Sequence, residues 1–259
     1  MKKYIVALLA LICLASCNVW NGQTPTPDGG KKAIWAQVYR AIYYGCSYSY
    51  LAIYGEALMA GNQDVANFLE LNIGAVESTK VEIAADKIVI INSNSSYRTT
   101  LTIITEGKRL SEGATWKLYS HTEYESGTIV EPVLLATYVG MKGSEYNFTC
   151  SREWKDDTYY HCSGKVEYEF AYDISVLESK IVATISSTGN LYQEKNSTID
   201  FATVAQKPIV FTNKMLRSGA VDILYKDLER NSSKAFITEV VTPATDINDF
   251  YQPVVYTDK

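Results

Sequence analysis

The spacing of apolar positions changes once along the chain, near Gly74, and the change separates a helical stretch from a strand-rich one. From Ala33 to Ala60, the residues Trp35, Tyr39, Ile42, Cys46, Tyr50, Ile53 and Ala57 recur every three or four positions, the period of one helix face. This predicts one long helix, or two joined near Gly45. Arg40 and Glu56 are the only ionised side chains in the span. A helix with so little charge on any face is either buried or membrane-spanning. Burial is the expectation, because five tyrosines between Tyr43 and Tyr54 would need partners for their hydroxyls in lipid. Gly45 and Ser49 on one face would let a neighbouring backbone approach closely. Asn62-Gln63-Asp64 then supplies capping chemistry, and Val65, Phe68 and Leu69 follow at helical spacing, so a second helix to about Leu71 completes a helical hairpin over 33–72.

Beyond Gly74 the period falls to two. Strands are predicted at Val81 and Ile83, Ile88 to Ile91, Thr99 to Ile104, Trp116 to Ser120 and Val133 to Val139, the last two joined across Glu125-Ser126-Gly127. The cleanest alternation is Lys165 to Asp173, with Val166, Tyr168, Phe170 and Tyr172 on one face and Lys165, Glu167, Glu169 and Asp173 on the other. One wet face argues for antiparallel pairing, since a buried parallel strand is apolar on both. Further strands are predicted at Lys180 to Ser186, Thr198 to Val204, Pro208 to Phe211, Ala220 to Lys226 and Ala235 to Val241, the final pair forming a hairpin across Glu229 to Ser233. Connections this short leave no room for crossover helices.

The fold class implied is mainly β with an N-terminal helical hairpin (α+β). It is a large antiparallel meander over 79–242, a sandwich or a partly closed barrel, packed around the long helix. In that arrangement Ile42, Cys46, Leu51 and Ile53 face inward-pointing strand residues. An irregular tail over 243–259 completes a single domain at 33–259.

Ahead of the helix the pattern is different again. Lys2 and Lys3 form a basic head, Tyr4 to Ala15 is an almost unbroken apolar run too short for a transmembrane span, and Leu14-Ala15-Ser16-Cys17 closes it with small residues before a cysteine. The ending Leu-Ala-Ser-Cys resembles the lipobox of bacterial lipoproteins, which are cut before the cysteine and acylated on it, with chains such as palmitate. The resemblance implies a signal peptide at 1–16, lipid attachment at Cys17 and stable membrane anchoring by more than one acyl chain. Residues 17–32, with little to bury, then read as a lipidated flexible tether. Asn18 follows the cysteine and no acid precedes Asp28. By analogy with the family, this points to the periplasmic face of an outer membrane.

Charge narrows the partners. Losing Lys2 and Lys3 with the signal leaves 22 basic against 29 acidic side chains, a net charge of −7, and no basic stripe of the kind phosphate recognition needs, so nucleic acid is not an expected partner. In an oxidising compartment Cys150 and Cys162, flanking a polar segment, are expected to form a disulfide. Cys46 is expected to be a buried, inert thiol.

Catalytic signals are thin. There is no phosphate-cradling glycine loop, zinc-type histidine pair or Gly-x-Ser-x-Gly elbow, and neither a metal nor a cofactor is expected. His121 and His161 read as ordinary histidines, and Asp246-x-Asn248-Asp249 lacks calcium-loop spacing. Two acid pairs, Glu123 with Glu125 and Asp156 with Asp157, are the material a carbohydrate-active hydrolase would use. Trp154, Tyr159 and Tyr160, among Arg152, Lys155, Asp156 and Asp157, suit a glycan or an envelope protein better than they suit chemistry. A noncatalytic binding module is therefore the leading expectation, with a hydrolase and a carrier of apolar ligands as alternatives.

Overall fold

The computed structural model describes residues 27–72, 79–93, 96–156, 162–173, 175–176, 178–193, 197–227, 232–245 and 254–259. The signal, Cys17 and most of the tether lie outside them. The first elements are helix α1 (Pro27–Met59), helix α2 (Gln63–Asn72), β1 (Lys80–Ile83), β2 (Lys87–Ser93), β3 (Tyr97–Ile104), a 3-10 turn (Leu110–Glu112), β4 (Thr115–Tyr124) and β5 (Ile129–Gly140). There follow β6 (Asn147–Asp156), β7 (Cys162–Asp173), β8 (Glu178–Gln193), β9 (Ser197–Thr212), β10 (Met215–Asp227), β11 (Ser232–Val240) and β12 (Val254–Asp258). The protein is mainly β and antiparallel, with strand order following chain order from β1 to β12.

Two compact units are formed, Ser49–Glu145 in the first and Pro27–Tyr48 with Tyr146–Lys259 in the second. In the first, Ile88, Ile90, Ile103, Trp116, Leu118 and Tyr138 are buried. Gly55 brings α1 onto this layer: a Cβ added there would lie 3.0 Å from Ile88 Cδ1 and 3.1 Å from Trp116 Cζ3. In the second, the alternation of β7 is realised. Val166, Tyr168, Phe170 and Tyr172 are buried while Lys165, Glu167, Glu169 and Asp173 are exposed. Tyr168 donates its hydroxyl to the Ile42 carbonyl at 2.9 Å. Gly45 makes the room, since a Cβ there would fall 1.9 Å from that hydroxyl. What approaches Gly45 is thus a phenol, not the backbone expected from the sequence.

Several expectations need correction. The helical hairpin and the long central helix are not supported as the organising core. The α1 helix is divided between the two units, and in each it contacts strand residues, Ile88 and Trp116 in the first and Tyr168 in the second. It ends at Gly61, which has φ 69°; the Gly61 amide donates to Leu58 O and the Asn62 amide to Ala57 O. Asn62 Oδ1 then accepts the Val65 amide at 3.2 Å and caps α2. Among the described residues β1 pairs only with β2 and β12 only with β11, so the pairings lend no support to the partly closed barrel that was one of the two expectations. The tail expected to be irregular contains β12, paired with β11 from Val240↔Val254 to Phe236↔Asp258. Finally, the two strands expected at 198–204 and 208–211 are one strand, β9. Its Pro208 is tolerated because the β9–β10 register slips around Ser218 and Ala220, beside Gly219 at φ 144°.

Candidate functional site

The disulfide expected between Cys150 and Cys162 is contradicted by the β6–β7 register. Cys150 stands opposite Tyr168 and Cys162 opposite Asp156, so the two cysteines sit six ladder positions apart. At about 3.3 Å per residue that is roughly 20 Å, far beyond the reach of a disulfide. The segment between them is mostly strand. Trp154 belongs to β6 and pairs in register with Gly164, whereas Tyr159 and Tyr160 lie outside the described residues. His161, Asp157 and the 246–249 cluster also lie outside them.

Glu123 and Glu125 do not share one strand, and of the pair Asp156 and Asp157 only Asp156 is described. Glu123 is on β4 and bonds His121 Nε2 at 3.2 Å, while Glu125 is in the following turn. Asp156 is the last residue of β6. Among the described residues, no group of three histidine, cysteine or acidic side chains is arranged to hold a metal ion. Nor is any helix among them long and apolar enough to cross a membrane.

Titratable groups lie along α1 in each unit, and two of them, Lys214 and Arg109, were not singled out in the sequence. In the second unit, burial pushes the Cys46 thiol far up, and the neighbouring Cys150 pushes it further, which is the reverse of what an activated thiolate requires. Arg152 lies 5.6 Å from the ring centres of both Tyr44 and Tyr48, which stack on each other one helical turn apart. Burial raises the Tyr48 phenol, opposed by that guanidinium.

Lys214 is 5% exposed, in the two-residue turn Asn213-Lys214 that joins β9 to β10 with φ values of 49° and 65°. Burial lowers its amine from 10.5 to about 8, partly opposed by Cys46. The unfolded chain therefore holds the extra proton between about pH 8 and 10.5. The cost to folding is complete below that window and is relieved as pH rises through it. Lys214→Met is accordingly expected to stabilise the protein at pH 7 by about 2 to 3 kcal/mol. In urea unfolding at pH 7 and pH 10 the advantage should shrink at the higher pH, and an equal advantage at both would contradict this origin.

In the first unit Glu56 is wholly buried and Arg109 reaches it, with Nε donating at 3.0 Å and an Nη2 contact at 2.9 Å. The backbone amides of Leu110 and Ser111 donate to the same carboxylate at 2.8 and 3.3 Å. Glu56 thus pins the 3-10 turn to α1. Arg109 also meets Glu145 at 3.3 Å. Glu56 stood out in the sequence as a lone acid on an apolar helix, but nothing there named Arg109 as its partner.

The remaining feature is on the surface. β4 and β5 turn at Tyr124–Thr128, where the Tyr124 amide donates to Thr128 O and the Gly127 amide to Tyr124 O, with Gly127 at φ 81°. Every residue of β5 from Ile129 to Leu134 is exposed. Successive strand residues point to opposite faces, so neither face of this tip is covered. The side chains left in water are large: Tyr124 46%, Ile129 60%, Val130 42%, Val133 52% and Leu134 44% exposed. The carboxylates of Glu123, Glu125 and Glu131 border them and are also exposed.

Comparison with protein-family models, with curated proteins and with solved structures finds no match.

Proposed function

We propose that this is a lipid-anchored protein of the bacterial envelope whose body is a noncatalytic binding module. The anchoring half is supported by the basic head, the apolar run and the Leu14-Ala15-Ser16-Cys17 ending, which favour acylation of Cys17 and an outer-membrane site. The binding half rests on one observation, the uncovered apolar tip of the β4–β5 hairpin. Isolated exposed apolar residues are ordinary, but a contiguous group on a projecting hairpin marks a contact surface.

The test is photo-crosslinking in cells. A benzophenone amino acid at Val133 should give a discrete light-dependent adduct, while the same probe at exposed Thr184 on β8 should not. No adduct at Val133, or the same products from both positions, would count against the binding module.

A further inference from the structure

The same tip carries a charge pattern that constrains what it binds. Between Ser120 and Gly140 the chain has three carboxylates, Glu123, Glu125 and Glu131, and neither lysine nor arginine. Glu123 has Arg98 opposite it on β3 and His121 bonded to it, so its charge is partly met. Glu125 belongs to the turn, and Glu131, next to Pro132, lies where the β4–β5 register shifts between Ser120↔Val133 and Thr122↔Val130. An apolar centre with an acidic border therefore projects from the first unit.

Interfaces pair an apolar core with a rim of complementary charge, and like charges brought face to face are penalised. Two copies joined tip to tip would set one group of carboxylates against another. A bilayer rich in anionic lipid would repel the border before the apolar residues could insert.

We propose that the β4–β5 tip docks a protein surface whose apolar groove is rimmed by lysine and arginine. This rests on the reading of the body as a binding module, and adds the chemistry of the partner. The apolar side chains supply the contact area, and the carboxylates supply selectivity and speed of encounter.

The test uses a random peptide display library panned on the full chain in detergent. Selected peptides should combine large apolar residues with lysine or arginine, and should bind at least about tenfold more weakly at high than at low salt. The triple variant Glu123→Lys, Glu125→Lys, Glu131→Lys should instead select acidic peptides. Val133→Ser with Leu134→Ser should lose selection while keeping the wild-type urea midpoint, because both side chains already face water. Neutral or acidic peptides selected by the wild type, selection indifferent to charge reversal, or no selection at all would overturn the proposal. So would self-association that Leu134→Ser abolishes, or binding to vesicles of phosphatidylethanolamine and phosphatidylglycerol. A crosslink at Val133 together with failed selection of basic peptides would leave the binding module standing and remove only the basic partner. Loss of both would remove both.

Discussion

Glu56→Ala is expected to lower the unfolding free energy by about 3 kcal/mol, with the loss in the first unit. The carboxylate is buried and gathers one guanidinium and two backbone amides. Truncation leaves the Leu110 amide inside the protein without its acceptor, and a buried donor in that state costs roughly 1 to 3 kcal/mol by itself. Arg109 keeps Glu145, an exposed partner at 3.3 Å, so its charge is not stranded. For that reason the amides should dominate the loss. Glu56→Gln, which retains one oxygen acceptor, should therefore recover a substantial part of the stability. Urea unfolding of the three proteins decides the matter, and a loss below about 1 kcal/mol for the alanine variant would mean that water replaces the carboxylate.

Gly140→Ala is the second large effect. At Gly45 and Gly55 an added methyl group would meet side chains, and at Gly61 and Gly127 nothing within 4 Å. At Gly140 it would lie 1.9 Å from the Leu110 carbonyl oxygen and 2.5 Å from its carbon, both backbone atoms. Leu110 cannot yield easily, because its amide is held by Glu56 and its carbonyl accepts from the Gly113 amide at 2.8 Å. Gly140 itself donates to Ala114 O at 2.9 Å, which fixes β5 from the other side. The expected loss is about 3 kcal/mol or more, at the upper end for overpacking. Gly143→Ala is the control: it has φ 83° but nothing within 4 Å, so only the strain of its left-handed backbone applies, about 1 kcal/mol. A loss at Gly140 no larger than at Gly143 would show that the Leu110 backbone gives way to the added methyl group.

The alternation of apolar and polar residues made the antiparallel β content legible, and β7 shows why. Its four buried aromatic and aliphatic side chains and its charged outer face are both written in period two. Register was harder to read. Cys150 and Cys162 look like the ends of a short loop, but β6 continues to Asp156 through Arg152 and Lys155, polar positions that a ladder accepts and a hydrophobicity pattern does not reveal. The two cysteines are carried apart as a result. In β9 Gln206-Lys207-Pro208 interrupts the alternation and suggests two strands, whereas the chain absorbs the interruption in a register shift. The tip of β5 was not legible because the strand expected there starts only at Val133, and nothing in the pattern of Ile129, Val130, Val133 and Leu134 tells whether another layer packs on them. Lys214 and Arg109 were invisible as site residues, since burial of a cation against α1 depends on pairings distant in the chain.

Anchoring at Cys17 is the claim on which the proposed role depends, and metabolic labelling tests it directly. Cells expressing the wild-type chain and Cys17→Ser are grown with labelled palmitate and separated into membrane and soluble fractions. The wild-type protein should carry label and remain with the outer membrane, and Cys17→Ser should carry none. If the wild-type protein is unlabelled and released in soluble form, the anchor and the envelope role both fall.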